Sequence, residues 1–127
     1  MKVFIDSDIL IWHLRGKAEA KKLLKTLIVK EGPELWIGAM QRAEIVFFMQ
    51  KQEVENTMDL LSLFQTQSVN QEIIDLAGMY YRKWNPSHGI DPNDAILAAS
   101  VALRGGKIVT QNTAHFPMPD IIVQKGW

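Results

Sequence analysis

Short apolar runs alternate along this chain with longer segments of helical periodicity, and this alternation places the chain in the α/β class. Each run spans three or four residues and, except for the weak candidate at 67–69, has the apolar, β-leaning character of a buried strand. The predicted strands are 2–5, 35–37, 67–69, 107–110 and 121–123. Because helical crossovers between successive strands favour parallel pairing, we predict a three-layer α/β/α domain with a central, mostly parallel sheet of four to five short strands.

The segments between these strands have helical patterns and recognisable ends. The predicted helices span 9–14, 17–30, 40–52, 54–64, 71–84 and 95–104. Asn70 can cap the fifth helix, and Pro86 and Gly89 indicate a loop over 85–90. The last helix is apolar almost all round, which is typical of a helix buried in a core.

Composition excludes several classes of protein and of site. With 127 residues, of which 47% are hydrophobic and 22% charged, we expect one domain over 1–127. The chain has no cysteine, so a metal site must use oxygen or imidazole ligands. No apolar run approaches the roughly 20 residues of a membrane span, and no export signal is recognisable, so we expect a cytoplasmic protein without membrane association.

The charges are balanced, with 14 basic and 14 acidic residues and a formal net charge of zero. This balance argues against a broad basic coat for nucleic acid. If the partner is RNA, we expect recognition through local shape and unpaired bases rather than through a large positive surface.

Polar side chains follow two of the predicted strands at the point where each strand ends. Asp6 and Asp8 come after the first strand, and Thr110 and Asn112 stand at the end of the fourth. In parallel sheets, ligands bind outside the carboxyl ends of the strands. We therefore expect these four side chains to lie at one rim.

Three further acids can reach the same rim. Glu44 lies in the helix after the second strand, between apolar neighbours, and Asp91 and Asp94 open the buried helix one turn apart. Carboxylates held together repel one another at neutral pH unless a cation lies between them. Mg²⁺ takes oxygen ligands, uses one or two carboxylates and keeps water, which suits hydrolysis of a phosphodiester.

Four motifs along the chain carry a family resemblance. They are FIDSDIL at 4–10, QRAE at 41–44, DAILAA at 94–99 and TQNTAHF at 110–116. In this order and spacing, and over nearly the whole length, the chain resembles a PIN-domain ribonuclease and, within that group, a VapC-type toxin of a toxin–antitoxin pair.

The resemblance implies a function and a set of site residues. It implies an endoribonuclease that uses Mg²⁺ or Mn²⁺, with a metal-activated water cleaving RNA. It also implies a homodimer that is silenced by a cognate antitoxin protein, which inserts a segment into the active groove. The implied catalytic residues and metal ligands are Asp6, Glu44 and Asp94, and the implied supporting residues are Ser7, Asp8, Asp91, Thr110 and Asn112.

The chain departs from the family pattern at two positions. His115 stands where many members carry a fourth acid, which leaves open whether one or two metals bind, with Asp91, Asp8 or Asn112 as substitutes. Gln111 replaces a frequent arginine, a change that concerns the grip on substrate more than the chemistry.

Structural roles compete with the functional ones at several positions. Asp91, followed by Pro92 and by an acid at the third helical position, is typical of a helix start. Asp8 is a candidate cap of the first helix, and His88 and His115 are interpreted as loop histidines.

Two other functions remain as hypotheses. Asp6-Ser7-Asp8 resembles the motif of haloacid-dehalogenase-like phosphatases, although Leu10 stands where those enzymes have threonine. A PIN-like module with a decayed site, which binds RNA or protein without cleaving it, is the other; its support is His115 in place of an acid.

Overall fold

A five-stranded sheet forms the centre of the computed structural model, which describes all 127 residues. The strands are β1 (Val3–Ile5), β2 (Leu35–Gly38), β3 (Gln65–Gln67), β4 (Lys107–Thr110) and β5 (Ile122–Lys125). Their order across the sheet is β3-β2-β1-β4-β5, and every neighbouring pair is parallel. The predicted α/β class and mostly parallel sheet are confirmed.

Six α-helices connect the strands and cover both faces of the sheet. They are α1 (Ser7–Leu14), α2 (Ala18–Glu31), α3 (Ala39–Val46), α4 (Val54–Leu61), α5 (Gln71–His88) and α6 (Pro92–Arg104). None of them is both long enough and apolar enough to cross a membrane.

The central strands contribute to two separate cores because alternate side chains point to opposite faces. Val3 and Ile5 of β1 pack with residues of α1, α2 and α4, whereas Phe4 packs with residues of α5 and α6. Val109 and Ile108 of β4 divide in the same way. This three-layer packing fixes the ends of β1 and β4 side by side at one rim.

The third helix is shorter than the sequence predicts. The prediction of a helix over 40–52 is wrong beyond Val46, where α3 ends. Gln50 and Glu53 form reciprocal capping contacts that start the next turn, with the Gln50 N–H 3.3 Å from Glu53 Oε2. Phe47 and Phe48, which follow α3, are 78% and 77% exposed rather than buried in the core.

The edge strand lies two residues earlier than predicted. The sequence predicts a strand at 67–69, whereas β3 spans Gln65–Gln67 and pairs with β2 through Gln65 and Trp36. An edge strand with exposed side chains needs no apolar residues, so its sequence pattern is weak.

Helix α5 continues through the segment predicted as a loop. The prediction of a loop over 85–90 is wrong for Asn85 to His88, where Pro86 lies in the last turn of the helix. The helix ends at Gly89, whose φ of 62° is the left-handed conformation favoured by glycine, and whose N–H donates to Asn85 O. The Asn85 side chain then donates to Ile90 O at 2.9 Å and fixes the exit of the chain.

Candidate active site

Asp6 occupies the end of β1 and caps α1. Its Oδ1 accepts a hydrogen bond from Ser7 N at 2.8 Å, and its own N–H donates to Val109 O at 3.0 Å. Thr110 at the end of β4 donates its hydroxyl hydrogen to Asp6 Oδ2, also at 2.8 Å. Asp6 is only 6% exposed, so this carboxylate is buried at the point where the two strands end.

Asp6 rather than Asp8 is the N-cap residue of α1, so the interpretation of Asp8 as that cap is wrong, although Asp8 Oδ1 accepts from Ile9 N at 2.7 Å within the first turn. The other oxygen of Asp8, Oδ2, accepts from Gln111 N at 2.9 Å and lies 3.3 Å from Thr110 Oγ1. Burial raises the pKa of Asp8, and these hydrogen bonds lower it in part. Asp8 thus joins the start of α1 to the loop after β4.

Glu44 on α3 approaches the same rim from the side of β2. Its Oε2 accepts from Ser7 Oγ at 3.2 Å, and its Oε1 lies 3.4 Å from Asn93 Nδ2. Burial raises the pKa of Glu44, and the charges of Asp91 and Asp94 raise it further. The sequence motifs do not single out Asn93, which lies between the two acids that open α6.

Asp91 and Asp94 form a reciprocal capping pair at the start of α6. Asp94 N donates to Asp91 Oδ1 at 2.9 Å, and Asp91 N donates to Asp94 Oδ2 at 3.2 Å. The interpretation of Asp91 as a helix start is confirmed, with Pro92 at the first helical position. The cap fixes the Asp94 carboxylate at the rim.

His115 takes part in the site and is not only a loop residue. Its Nδ1 lies 3.1 Å from Asp94 Oδ2 and 2.8 Å from Asn112 Nδ2. The short turn Thr113–His115 begins at Asn112, whose N–H donates to Thr110 Oγ1 at 3.0 Å. In the sequence, this role is indicated by the position of His115 in the last motif, where an acid is frequent.

The electrostatics show that these acids interact. Burial, followed by the charge of Asp8, raises the pKa of Asp6 to about 7, and Asp94 contributes in the same direction. Burial is also the main cause of the raised pKa of Asp94, which His115 lowers in part. No lysine or arginine forms an ion pair with the rim carboxylates; of the ion pairs in the chain, that of His115 alone reaches them. Excess negative charge is therefore concentrated here.

Residues 3–118 of the chain match the sequence model of the family described as PIN domain. The chain belongs to the PIN-domain family. This assignment replaces the alternative of a haloacid-dehalogenase-like phosphatase. It also agrees with the order of the four motifs along the chain, so the resemblance inferred from them is confirmed.

Relatives of known name and solved structures agree with the PIN-domain assignment. The chain is 34% identical over 117 residues to Ribonuclease VapC10 of Mycobacterium tuberculosis. The aligned region covers 91% of this chain and 86% of that protein. Its fold superimposes with a TM-score of 0.82 on a chain of DNA-bound VapBC from Salmonella typhimurium, at 16% identity and with 100% and 99% of the chains covered. A toxin–antitoxin complex from Klebsiella pneumoniae gives a TM-score of 0.79 at 24% identity, covering 100% and 98%. The VapC resemblance is thereby supported by sequence as well as fold.

The donor set of this PIN domain fits a hard divalent cation. No three acidic or histidine side chains are already close enough together to form a complete ligand set. Mg²⁺ does not need one, because it binds through one or two carboxylates and keeps several waters. Asp6 is buried, its pKa is raised, and no basic side chain pairs with it. A cation bound beside Asp6 would offset the negative charge of its carboxylate.

The side chain of Gln111 is engaged with the last residue of the chain. Its Oε1 accepts from Trp127 N at 2.8 Å and its Nε2 donates to Trp127 O at 3.1 Å. Gly126 N also donates to Thr110 O. The side chain of Gln111 therefore holds the segment after β5 against the rim, a contact that the sequence does not reveal.

A cleft of about 670 Å³ opens beside Glu44, between α1, α3 and α4. Its walls combine apolar side chains, among them Ile11 and Phe48, with the basic side chains of Arg15 and Lys21. Glu44 is the one rim acid that lines this cleft, so a chain lying in it reaches Glu44.

Proposed function

We propose that this PIN domain is a divalent-metal-dependent endoribonuclease and the toxin of a toxin–antitoxin pair. The observation that carries this proposal is electrostatic: the charge of Asp94 raises the pKa of both Asp6 and Glu44 at the carboxyl end of the parallel sheet. The names of the VapC ribonucleases to which the chain is similar supply the reaction class.

Each rim residue has a proposed role. Asp6 and Asp94 hold the cation directly, and Glu44 orients water, aided by its contacts with Ser7 and Asn93. Thr110 keeps Asp6 in place through its hydroxyl group. Mg²⁺ or Mn²⁺ bound here would lower the pKa of water and offset the charge that develops on the phosphate. RNA is the proposed substrate.

The direct test compares Asp6→Asn with Asp59→Asn, which changes an exposed acid on α4. We expect the wild type and Asp59→Asn to cleave a labelled RNA with Mg²⁺ or Mn²⁺, and to stop in EDTA. Asp6→Asn should lose at least about 100-fold in rate, the scale expected when a group that stabilises developing charge is removed. Cleavage by Asp6→Asn at the wild-type rate would contradict the assignment.

A metal titration separates the enzyme from a decayed binding module. We expect the wild type to bind Mn²⁺ and Asp6→Asn to bind it more weakly, measured by calorimetry. A wild-type protein that binds RNA but no Mn²⁺ would favour the decayed module instead.

We also propose that a cognate antitoxin occupies the cleft beside Glu44. The names of the solved complexes, which pair a toxin with an antitoxin, support a protein partner. The apolar wall of the cleft and the exposed Phe48 suit an amphipathic segment. Phe48→Asp should abolish copurification with the product of the adjacent gene, whereas Val29→Asp, on exposed α2 surface, should not.

A homodimer is proposed with α5 at its interface. Ile74 and Tyr81, both partly exposed, line a shallow apolar groove with Pro92 and Ile96. Trp12 on α1 is a weaker candidate because Arg15 and Lys17 lie over its ring. Light scattering should give a dimer mass for wild type and Val29→Glu and a monomer mass for Ile74→Glu.

A further inference from the structure

Three polar groups converge on one point at the solvent side of the rim. They are Nδ1 of His115, Oδ2 of Asp94 and the side-chain amide of Asn112. The side chain of Asp94 is 13% exposed and that of His115 is 33% exposed, so a small ion can reach the point from solvent. Asp6 lies deeper and is joined to this cluster through Thr110 and Asn112.

The spacing of two of these atoms matches a coordination shell. Adjacent ligands of an octahedral ion, each about 2.1 Å from the metal, are about 3.0 Å apart. Nδ1 of His115 and Oδ2 of Asp94 are 3.1 Å apart. The amide of Asn112 can present Oδ1 in place of Nδ2 by a half-turn of its last torsion, which adds an oxygen donor.

The ring of His115 is also held in position before any ion binds. His115 N donates to Asn112 O at 3.0 Å, and Asn112 N is anchored on the buried hydroxyl of Thr110. A donor held in this way loses little conformational freedom on ligation. The same hydroxyl group also holds Asp6, so the positions of His115 and Asp6 are both fixed relative to the end of β4.

We propose that His115 is a direct nitrogen ligand of the cation held by Asp94, and that the site consequently prefers Mn²⁺ to Mg²⁺. Both ions favour oxygen ligands, but Mn²⁺ belongs to the first-row series whose affinity extends to nitrogen sites, whereas Mg²⁺ is bound almost wholly through oxygen. This inference rests on the proposed function, since it concerns the same metal site. It assigns a role to the position at which the chain departs from its family.

The test is pulsed electron paramagnetic resonance of the full-length protein loaded with Mn²⁺. Nitrogen-14 of a coordinated imidazole modulates the Mn²⁺ echo. An imidazole that forms only an ion pair with Asp94 is not coordinated, so it does not give the modulation of a directly bound nitrogen. We expect this modulation in the wild type and in His88→Ala, a matched change of an exposed histidine at the end of α5. It should vanish in His115→Ala.

Affinity gives a second measurement. The dissociation constant for Mn²⁺ should rise at least about tenfold in His115→Ala, because loss of even an outer-shell partner costs about 10–100-fold. That for Mg²⁺, measured by competition, should change less. His115→Asp should lose the modulation and shift the preference toward Mg²⁺, and it remains informative if His115→Ala does not fold.

The outcomes separate this inference from the proposed function. One outcome is that the wild type binds Mn²⁺, that Asp6→Asn lowers this affinity, and that the echo nevertheless shows no nitrogen modulation. This outcome would overturn the role of His115 and leave the nuclease proposal intact. A wild-type protein that binds no Mn²⁺ overturns both. Equal loss of Mn²⁺ and Mg²⁺ affinity in His115→Ala overturns the preference.

Discussion

Thr110 and Asp6 are joined by a buried hydrogen bond of 2.8 Å between residues 104 positions apart in the sequence. Thr110 is fully buried, and the same hydroxyl oxygen accepts from Asn112 N at 3.0 Å. A hydroxyl has one hydrogen to donate, and the nearer acceptor is Asp6 rather than Asp8. One side chain therefore ties the end of β1 to the end of β4 and to the turn that carries His115.

Replacing Thr110 by valine should disturb the rim without changing the volume of the side chain. Thr110→Val leaves the Asn112 N–H without its acceptor and Asp6 Oδ2 without its donor, which should cost about 1–3 kcal/mol of unfolding free energy. Affinity for Mn²⁺ should fall about 10–100-fold, as for other outer-shell changes. Urea unfolding and calorimetry check both effects, with Thr110→Ser as the control that keeps the hydroxyl. Wild-type metal affinity in Thr110→Val would contradict the positioning role.

The stability of the metal-free protein should fall as the pH rises from about 4 to about 7. Burial and the charge of Asp8 raise the pKa of Asp6 from 3.8 to about 7, so the folded protein keeps a proton that the unfolded chain releases. Over that interval the native state binds more protons, and the free energy of unfolding decreases by up to about 1.4 kcal/mol per pH unit. Asp8, Glu44 and Asp94, whose pKa values are also raised, act in the same direction.

Asp6→Asn tests this pH dependence because it removes the charge and keeps the shape. In EDTA at pH 8 the variant should melt at a higher temperature than the wild type, and its melting temperature should depend less on pH. Asp59→Asn serves as the control, since that acid is exposed on α4. A wild-type melting temperature that rises from pH 5 to pH 8 relative to Asp6→Asn would contradict the raised pKa.

The sequence predicts the fold well because its signals are local. The buried run Val3–Ile5 and the apolar helix α6 sit where their patterns place them, since each must bury its side chains in a core. The acids that follow or precede such elements could be assigned to one rim from the rule for parallel sheets alone. Their mutual approach in the structure follows from that topology.

The remainder depends on contacts that sequence spacing does not encode. Phe47 and Phe48 are apolar yet exposed, because the chain turns away from the core after α3. His115 enters the site through a short turn whose direction is set by the Asn112 backbone bond to Thr110. Gln111 pairs with Trp127 only because β5 runs beside β4.

We expect Asp91 to act as a helix cap and not as a metal ligand, and variants that change its capping oxygen and its charge separately test this. Asp91→Asn keeps an oxygen that can accept from Asp94 N, so stability should change by less than about 0.5 kcal/mol. Asp91→Ala removes that acceptor and should cost about 1 kcal/mol. Urea unfolding measures both, and Mn²⁺ titration should give Asp91→Asn an affinity close to that of the wild type. A large loss of metal affinity in Asp91→Asn would instead make Asp91 a ligand.

Gln111→Ala should loosen the segment after β5 and weaken the rim indirectly. Two hydrogen bonds to Trp127 are lost, each contributing about 0.5–1.5 kcal/mol, so we expect a decrease of about 1–3 kcal/mol in unfolding free energy. Gln111→Arg should lose the contact with Trp127 N, because arginine has no acceptor, while its guanidinium can still donate to Trp127 O. Gln124→Ala, which removes an exposed glutamine of β5 that contacts Lys107, is the matched control. Amide hydrogen exchange of residues 122–127 should accelerate in both Gln111 variants and not in the control, and unchanged exchange would show that strand pairing alone holds this segment.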